Sequence, residues 1–170
     1  MTKFLLALHV LVAIIAIGPV TVAASMFPPS ARKALAAPDD PGALETVGLL
    51  HRICRVYAGI GIAVPVFGIA TATSMGVMGD AWLIVSMALT VAAAIVLVVL
   101  VLPRQETLQE TIQESSQVSS QVSIPEKVVE GGSGDRAATV QLAMFTGVFN
   151  LLWATVTVLM IVRPGSTTGA

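Results

Sequence analysis

Four apolar stretches, at residues 4–24, 47–72, 81–102 and 139–162, constrain the fold of this chain more than any other feature. Three of them contain no Asp, Glu, Lys or Arg, and the second carries Arg52 and Arg55 only near its start. A helix needs ~20 apolar residues to cross a hydrocarbon layer of ~30 Å. The sequence therefore predicts an all-α polytopic membrane protein, a bundle of four transmembrane helices that forms a single membrane domain.

The composition excludes a soluble domain. Hydrophobic residues make up 55% of the chain and charged residues only 11%, where a soluble domain has ~25% charged residues. The net charge of −1 offers no general attraction to nucleic acid, so the lipid bilayer is the expected partner. The single cysteine, Cys54, excludes an intrachain disulfide and a multi-cysteine metal site, and we expect it to pack as a small apolar residue.

The second stretch carries a stripe of small residues on one face of its predicted helix. The steps along the stripe are 3, 4, 3 and 4 residues, from Ala58 through Gly61, Pro65 and Gly68 to Ala72. Small side chains at this spacing allow another membrane helix to approach closely. The stripe predicts the main packing seam of the bundle, which could also support a homo-oligomer or a larger membrane complex.

The first stretch could be read as a signal peptide, because Lys3 precedes it and Val22-Ala23-Ala24 resembles a cleavage site. A signal peptide has an apolar region of ~7–15 residues, and this stretch is longer, so we expect a retained helix. Pro19 predicts a kink in it. Pro28-Pro29 predicts its end and the start of a polar connection over residues 25–46.

The region 104–136 is polar, rich in Gln and Ser, and contains an ETLQ/ETIQ near-repeat. This composition predicts disorder or a frayed helix. The alternative is a partner-binding amphipathic helix, with Leu108 and Ile112 on its apolar face.

The distribution of Lys and Arg predicts the orientation. With four spans, the connections at 25–46 and 103–138 lie on one side of the membrane and both termini lie on the other. The side with the connections has seven basic residues, if Arg52 and Arg55 at the adjoining helix end are counted, and the side with the termini has two. Basic residues favour the cytoplasmic side. We therefore expect a protein of the bacterial inner membrane, with both termini outside and both long connections in the cytoplasm.

Few polar side chains fall at membrane depth. Asn150 lies near the middle of the fourth stretch, and we expect it to hydrogen-bond across helices, with ligand or ion contact as the alternative. His9 is either a neutral histidine bonded to a neighbouring helix or a ligand of haem or copper. His51, Arg52 and Arg55 are expected at the headgroup level. His9 and His51 differ in predicted depth by roughly 20–25 Å, too far to share one haem.

Several segments together resemble a known family. They are LHVLVAIIAIGPV at 8–20, HRICRVYAGIGIAVPVFGIATA at 51–72 and MGDAWLIVSMALT at 78–90. They resemble bacterial, mainly actinobacterial, integral membrane proteins that carry a domain of unknown function. More distantly, the Leu8-His9 pair followed by a glycine is similar to copper-resistance D proteins and to haem-dependent protoporphyrinogen oxidases, which implies a haem b or copper ligand at His9. The oxidases also have a lysine in a later helix, and the stretch 81–102 has none.

Three functions remain open from the sequence. The first is a non-enzymatic scaffold or accessory protein, for which no cofactor is expected. The second is a haem- or copper-linked redox protein that uses His9. The third is a small transporter that works through Asn150 and kinks at Pro19 and Pro65.

Overall fold

The computed structural model describes residues 2–121 and 132–165, and the regular elements in these ranges are all helical. Four helical units are long and apolar enough to cross a membrane. The predicted class is therefore confirmed: the chain is an all-α polytopic membrane protein. The elements are α1 (Thr2–Ala36), α2 (Pro41–Ile60), α3 (Ala63–Met75), α4 (Ala81–Ile95), a π-helical segment (Val96–Val101), α5 (Leu102–Gln121) and α6 (Gly132–Val162).

The helices surround one elongated core. α1 packs against α2, α3 and α6, α4 packs against α6, and α2 meets α5. Small residues let the helices approach closely, and a few large side chains fill the remaining space. The buried residues of this core include Ala16, Val20, Ala24 and Phe27 from α1, Val47, Leu50 and Cys54 from α2, Val101 from the π segment, and Leu142 and Phe149 from α6. A smaller cluster of Ala72, Trp82 and Leu83 lies where α3 ends and α4 begins.

The prediction that Pro28-Pro29 ends the first helix is wrong. α1 continues through both prolines to Ala36, and the connection to α2 contains only residues 37–40. The buried residues Phe27, Ala31 and Ala34 follow one another at helical spacing on the same core-facing side. Their packing against the neighbouring helices outweighs the backbone hydrogen bonds that the prolines cannot donate. α2 then begins at Pro41, where the Asp40 carboxylate caps the helix by accepting from the Gly42 N–H at 3.0 Å.

The second span is interrupted in its middle, at Gly61 and Ile62. Pro65 has no N–H to donate to the carbonyl of Gly61, and the Val64 N–H takes that carbonyl instead, at 3.1 Å. This hydrogen bond spans three residues instead of the four of an α-helix, and the irregular turn separates α2 from α3. α3 ends at Met75 and is capped by Gly76, whose φ of 72° is the left-handed conformation that glycine adopts without strain.

The disorder predicted for residues 104–136 is wrong for residues 104–121 and 132–136, which are helical, and the alternative of a helix that buries Leu108 and Ile112 is found. The third span does not stop at Pro103, because the chain passes from α4 through the π segment and continues as α5 to Gln121. At the end of the π segment, the Leu102 N–H donates to the Leu97 carbonyl. Pro103 follows and has no N–H to donate, and the wider π turn lets the helix continue through it. The part of the predicted loop at 122–131 lies outside the described residues.

The helices extend well beyond a bilayer at one end. α1 has 35 residues and is therefore about 52 Å long, against ~30 Å of hydrocarbon. The excess on all units lies at the same end, where residues 28–52, 103–121 and 132–138 form what we call the head. Leu108 and Ile112 of α5 are buried in the head and belong to the same core as Ala34 and Val47.

Candidate functional site

His9 is bound to the neighbouring helix at the end of the bundle opposite the head. Its Nδ1 lies 3.1 Å from the Val64 carbonyl oxygen. Gly68 lies directly against the ring, since a Cβ at that position would come within 3.1 Å of His9 Cε1. Val64 and Gly68, which follow the break between α2 and α3, both lie beside α1. The close approach of the His9 ring requires glycine at position 68.

A cavity of about 40 Å³ lies next to the His9 ring. Its walls include Met75 at the end of α3, Met160 on α6, and Trp82 on α4. This space is slightly larger than the ≈ 30 Å³ that one water molecule occupies in the liquid, and a haem is many times larger. The surroundings of His9 therefore do not fit the haem b that the family resemblance implied.

Within the described part of the chain, no group of three His, Cys, Asp or Glu side chains is placed to hold a metal ion. His51 lies thirteen residues before Val64 along the second span, which at 1.5 Å per residue is about 20 Å. The two histidines are therefore far apart, as their predicted depths required.

A second polar region lies where the spans meet the head, and we call it the polar layer. Among the described residues, five buried side-chain atoms have no hydrogen-bond partner. Three of them belong to residues 51, 104 and 105 beside the head, and the other two lie on α6 within the fourth span. Buried polar groups are nearly always satisfied in folded proteins, so each unsatisfied atom marks a place for water, ligand or strain. The five atoms are His51 Nδ1, Arg104 Nη1, Gln105 Oε1, Thr146 Oγ1 and Asn150 Oδ1.

Gln105 occupies the centre of the polar layer and is completely buried. Its Nε2 contacts the Cys54 sulfur across helices at 3.6 Å, while Oε1 has no partner. The preceding residue, Arg104, places its guanidinium 4.2 Å above the Phe145 ring. Cys54 thus packs in the core, and it receives a weak hydrogen bond.

We expect Gln105→Met to stabilise the protein by about 1–2 kcal/mol. The thioether has nearly the same volume, and the substitution removes a buried acceptor whose missing hydrogen bond costs about 1–3 kcal/mol. Thermal unfolding in detergent, read by circular dichroism, measures the change. The control is Gln113→Met, an exposed position on the same helix, which should leave the midpoint unchanged. A lower midpoint for Gln105→Met would show that the amide is satisfied in the native protein.

The predicted small-residue seam is only partly buried. Ala72 is buried, and Ala58, Gly61 and Gly68 are half-buried, but Pro65 is exposed. Pro65 therefore does not pack against the other helices of the same chain, whereas Gly68 beyond it lies against His9 of α1.

The remaining predicted residues lie on α6, within the fourth span, and on the part of α2 next to the head. Asn150 donates from Nδ2 to the Ser25 hydroxyl of α1 at 3.0 Å. Arg52 and Arg55 are exposed and His51 is half-buried, all on the part of α2 that enters the head. Nearby, Arg32 donates from Nε to the fully buried Thr139 hydroxyl of α6 at 3.2 Å. Two interhelical hydrogen bonds therefore join α1 to α6, and they lie about 16 Å apart along α6.

Fold and sites together define a small helical membrane protein with two polar regions, one at each end of the bundle. No family model matches the chain, and no curated protein or solved structure is detectably similar to it.

Sequence reasoning missed Gln105, Met75 and Met160. Gln105 falls in a segment whose composition suggested disorder, although its spacing to Val101, Leu108 and Ile112 is helical and could have placed it in the core. The two methionines carry no local signal. They come from different helices, and only the fold brings them to His9.

Proposed function

We propose that this chain is a non-enzymatic accessory or scaffold protein of the bacterial inner membrane, which binds a basic surface of a membrane complex through α5. The observation that carries this proposal is the row of three glutamates, Glu106, Glu110 and Glu114, on the exposed side of α5. The complex contains either further copies of this chain or larger subunits.

Packing fixes which side of α5 faces outward. Leu108 and Ile112 bury one face against α1 and α2, so the helix cannot rotate freely about its axis. The glutamates follow at intervals of four residues, and like charges at this spacing destabilise a helix by ≈ 0.2–0.5 kcal/mol per pair. Such a row is disfavoured for stability alone, and a basic partner would neutralise it. Charge complementarity of this kind gives specificity and fast association.

A triple charge reversal tests the proposal. In native membranes solubilised with mild detergent, we expect the chain to migrate in an assembly much larger than its own 17.6 kDa. We expect the triple variant to be released from the assembly; it combines Glu106→Lys, Glu110→Lys and Glu114→Lys. High salt should weaken the assembly of the native chain. The control reverses Asp39 and Glu45, which are exposed acids elsewhere in the head. A native chain that is always monomeric, or an assembly that survives the triple reversal, would refute this role.

The proposed orientation places the head in the cytoplasm and both termini outside. Most basic residues in the described part of the chain belong to the head or to its junction with the spans, namely Arg32, Lys33, Arg52, Arg55, Arg104 and Arg136. At the other end, the described residues include only Lys3 and Arg163. This bias supports a cytoplasmic head.

Fusion reporters test the orientation. Alkaline phosphatase is active only outside the cytoplasm, so we expect activity when it follows the C-terminus and none when it is inserted within residues 122–131. A fluorescent protein that matures only in the cytoplasm should give the reverse pattern. Phosphatase activity from the inserted reporter would invert the proposed topology.

The other two candidate functions receive less support. Haem-linked redox chemistry at His9 conflicts with the size of the adjoining cavity. Transport through Asn150 receives less support because its amide nitrogen already bonds the Ser25 hydroxyl of α1.

A further inference from the structure

Two oppositely charged pairs of side chains lie exposed on neighbouring helices of the head. The acid pair is Glu106 and Glu110 of α5, and the arginine pair is Arg52 and Arg55 of α2. We propose that two copies of this chain form a dimer with two-fold symmetry, in which the acid pair of each copy binds the arginine pair of the other. This inference rests on the proposed role of α5 and names its basic partner as a second copy of the chain.

The two pairs lie at nearly the same depth relative to the membrane. α2 and α5 pack side by side, and the Nε2 of Gln105 lies 3.6 Å from the sulfur of Cys54. The arginine pair flanks Cys54, and Glu106 directly follows Gln105. Glu106 and the arginine pair are therefore within about one helical turn of each other along the membrane normal.

The membrane restricts how two copies can face each other. Copies inserted in the same direction share one depth, so a two-fold axis between them runs along the membrane normal. Rotation about this axis leaves depth unchanged, and the acid pair of one copy then meets the other copy at the depth of its arginine pair. A two-fold interface uses the same surface of both copies and forms each contact twice. A surface with both signs of charge at one depth is thus complementary to itself.

Both pairs are available to a partner. All four side chains are exposed, and within the ranges that the structure describes none of them forms an ion pair. The arginine guanidinium can bind a carboxylate through two parallel hydrogen bonds. The pairs lie where the head meets the spans, so a second copy would partly remove them from water, which strengthens their attraction.

The neighbouring residues set the limits of the contact. Glu45 lies on the same side of α2 as Arg52 but seven residues before it, which is about 10 Å further into the head. At that depth Glu45 would face Glu114 of the other copy, and facing like charges repel, so the contact is confined to the acid pair. Towards the membrane, Gly59 follows Arg55 by four residues and is exposed, with open space where a Cβ would lie. A second helix can therefore approach α2 closely below the arginine pair.

The experiment uses two copies of the full chain with different affinity tags, coexpressed in one membrane and extracted with mild detergent. Native copies should co-purify through either tag. The acid-reversed variant, Glu106→Lys with Glu110→Lys, should lose pairing with itself, because lysine then faces arginine in both contacts. The arginine-reversed variant, Arg52→Glu with Arg55→Glu, should lose it for the equivalent reason. We expect each variant to pair with itself about tenfold or more weakly than the native chain does.

Coexpression of the two variants separates contacts between copies from contacts within one chain. An acid-reversed copy beside an arginine-reversed copy has opposite charges in both contacts, so the two variants should co-purify about as well as native copies. Ion pairs within a chain would stay broken in both variants. This recovery is therefore specific to a dimer in which the two pairs meet across the interface.

Glu114→Lys is the matched control, since it makes the same change one turn further along α5 and should leave the pairing unchanged. Arg52→Gln with Arg55→Gln removes charge without adding acid, and it should weaken the pairing less than the reversal does. The dimer is overturned if the arginine-reversed variant pairs with itself as native copies do, if the mixed variants fail to pair, or if Glu114→Lys causes an equal loss.

The native chain distinguishes this inference from the accessory role. If it migrates in a larger assembly but differently tagged copies never co-purify, the dimer alone is refuted and the basic partner is another protein. If the native chain is always monomeric, the accessory role is refuted together with the dimer.

Discussion

Replacing Phe27 by alanine is expected to destabilise the protein by about 3–5 kcal/mol, the usual range for a buried phenylalanine. Phe27 is completely inaccessible and lies where α1 enters the head, one residue before the proline pair. The core residues one turn before and after it on α1, Ala24 and Ala31, are small, so this helix has little side-chain volume with which to fill the space. Unfolding by a denaturing detergent, followed by circular dichroism, gives the change in free energy.

Phe4→Ala provides the matched control for this measurement. Phe4 lies on the same helix, and its substitution by alanine removes the same atoms. Because Phe4 is 72% exposed, this substitution should leave the stability of the protein nearly unchanged. Equal effects of the two substitutions would mean that α1 does not pack in the head as described, and that its path through Pro28-Pro29 is incorrect.

Ile112→Asp is expected to release α5 from the head. Ile112 is 1% exposed, and an unpaired carboxylate in such a position costs about 3–5 kcal/mol. Because α5 lies at the edge of the fold and is held by few large side chains, we expect this cost to appear as local unfolding. Limited proteolysis should then cut within α5, while the membrane spans stay intact.

Val118→Asp introduces the same carboxylate on the same helix, at a side chain that is 60% exposed. This variant should resist the protease as the native protein does. If both variants, or neither, become sensitive, then the burial of Leu108 and Ile112 does not hold α5. The row of glutamates proposed for partner binding would then lose its fixed direction.

The sequence was most informative where a physical rule acts on a whole segment. A long uncharged stretch must either leave water or associate, so the four spans and the all-helical class could be predicted from local composition alone. The two long connections were predicted less well, because proline and polar residues are only local signals. Each proline at positions 28, 29 and 103 lacks a hydrogen-bond donor. The helix continues through these positions because residues beside the prolines are buried in the core, namely Phe27, Ala31 and Val101.

The sites illustrate the same division. His9 and Asn150 could be selected in advance, because a polar side chain at membrane depth needs a partner. The identity of each partner could not: the Val64 carbonyl and the Ser25 hydroxyl become neighbours only through helix packing. The small-residue stripe was predicted for one straight helix, whereas the structure breaks this span at Gly61 and leaves Pro65 exposed.

By itself, the sequence determined the class of the protein, its four spans and the bias of basic residues towards one end, because each depends on transfer of residues between water and lipid, a property summed along the chain. The tertiary structure alone decided that α5 belongs to the head, that Gln105 is buried without a full set of hydrogen bonds, and that Met75 and Met160 lie beside His9. These features depend on contacts between residues far apart in sequence, and the energy of such a contact exists only once the helices have packed.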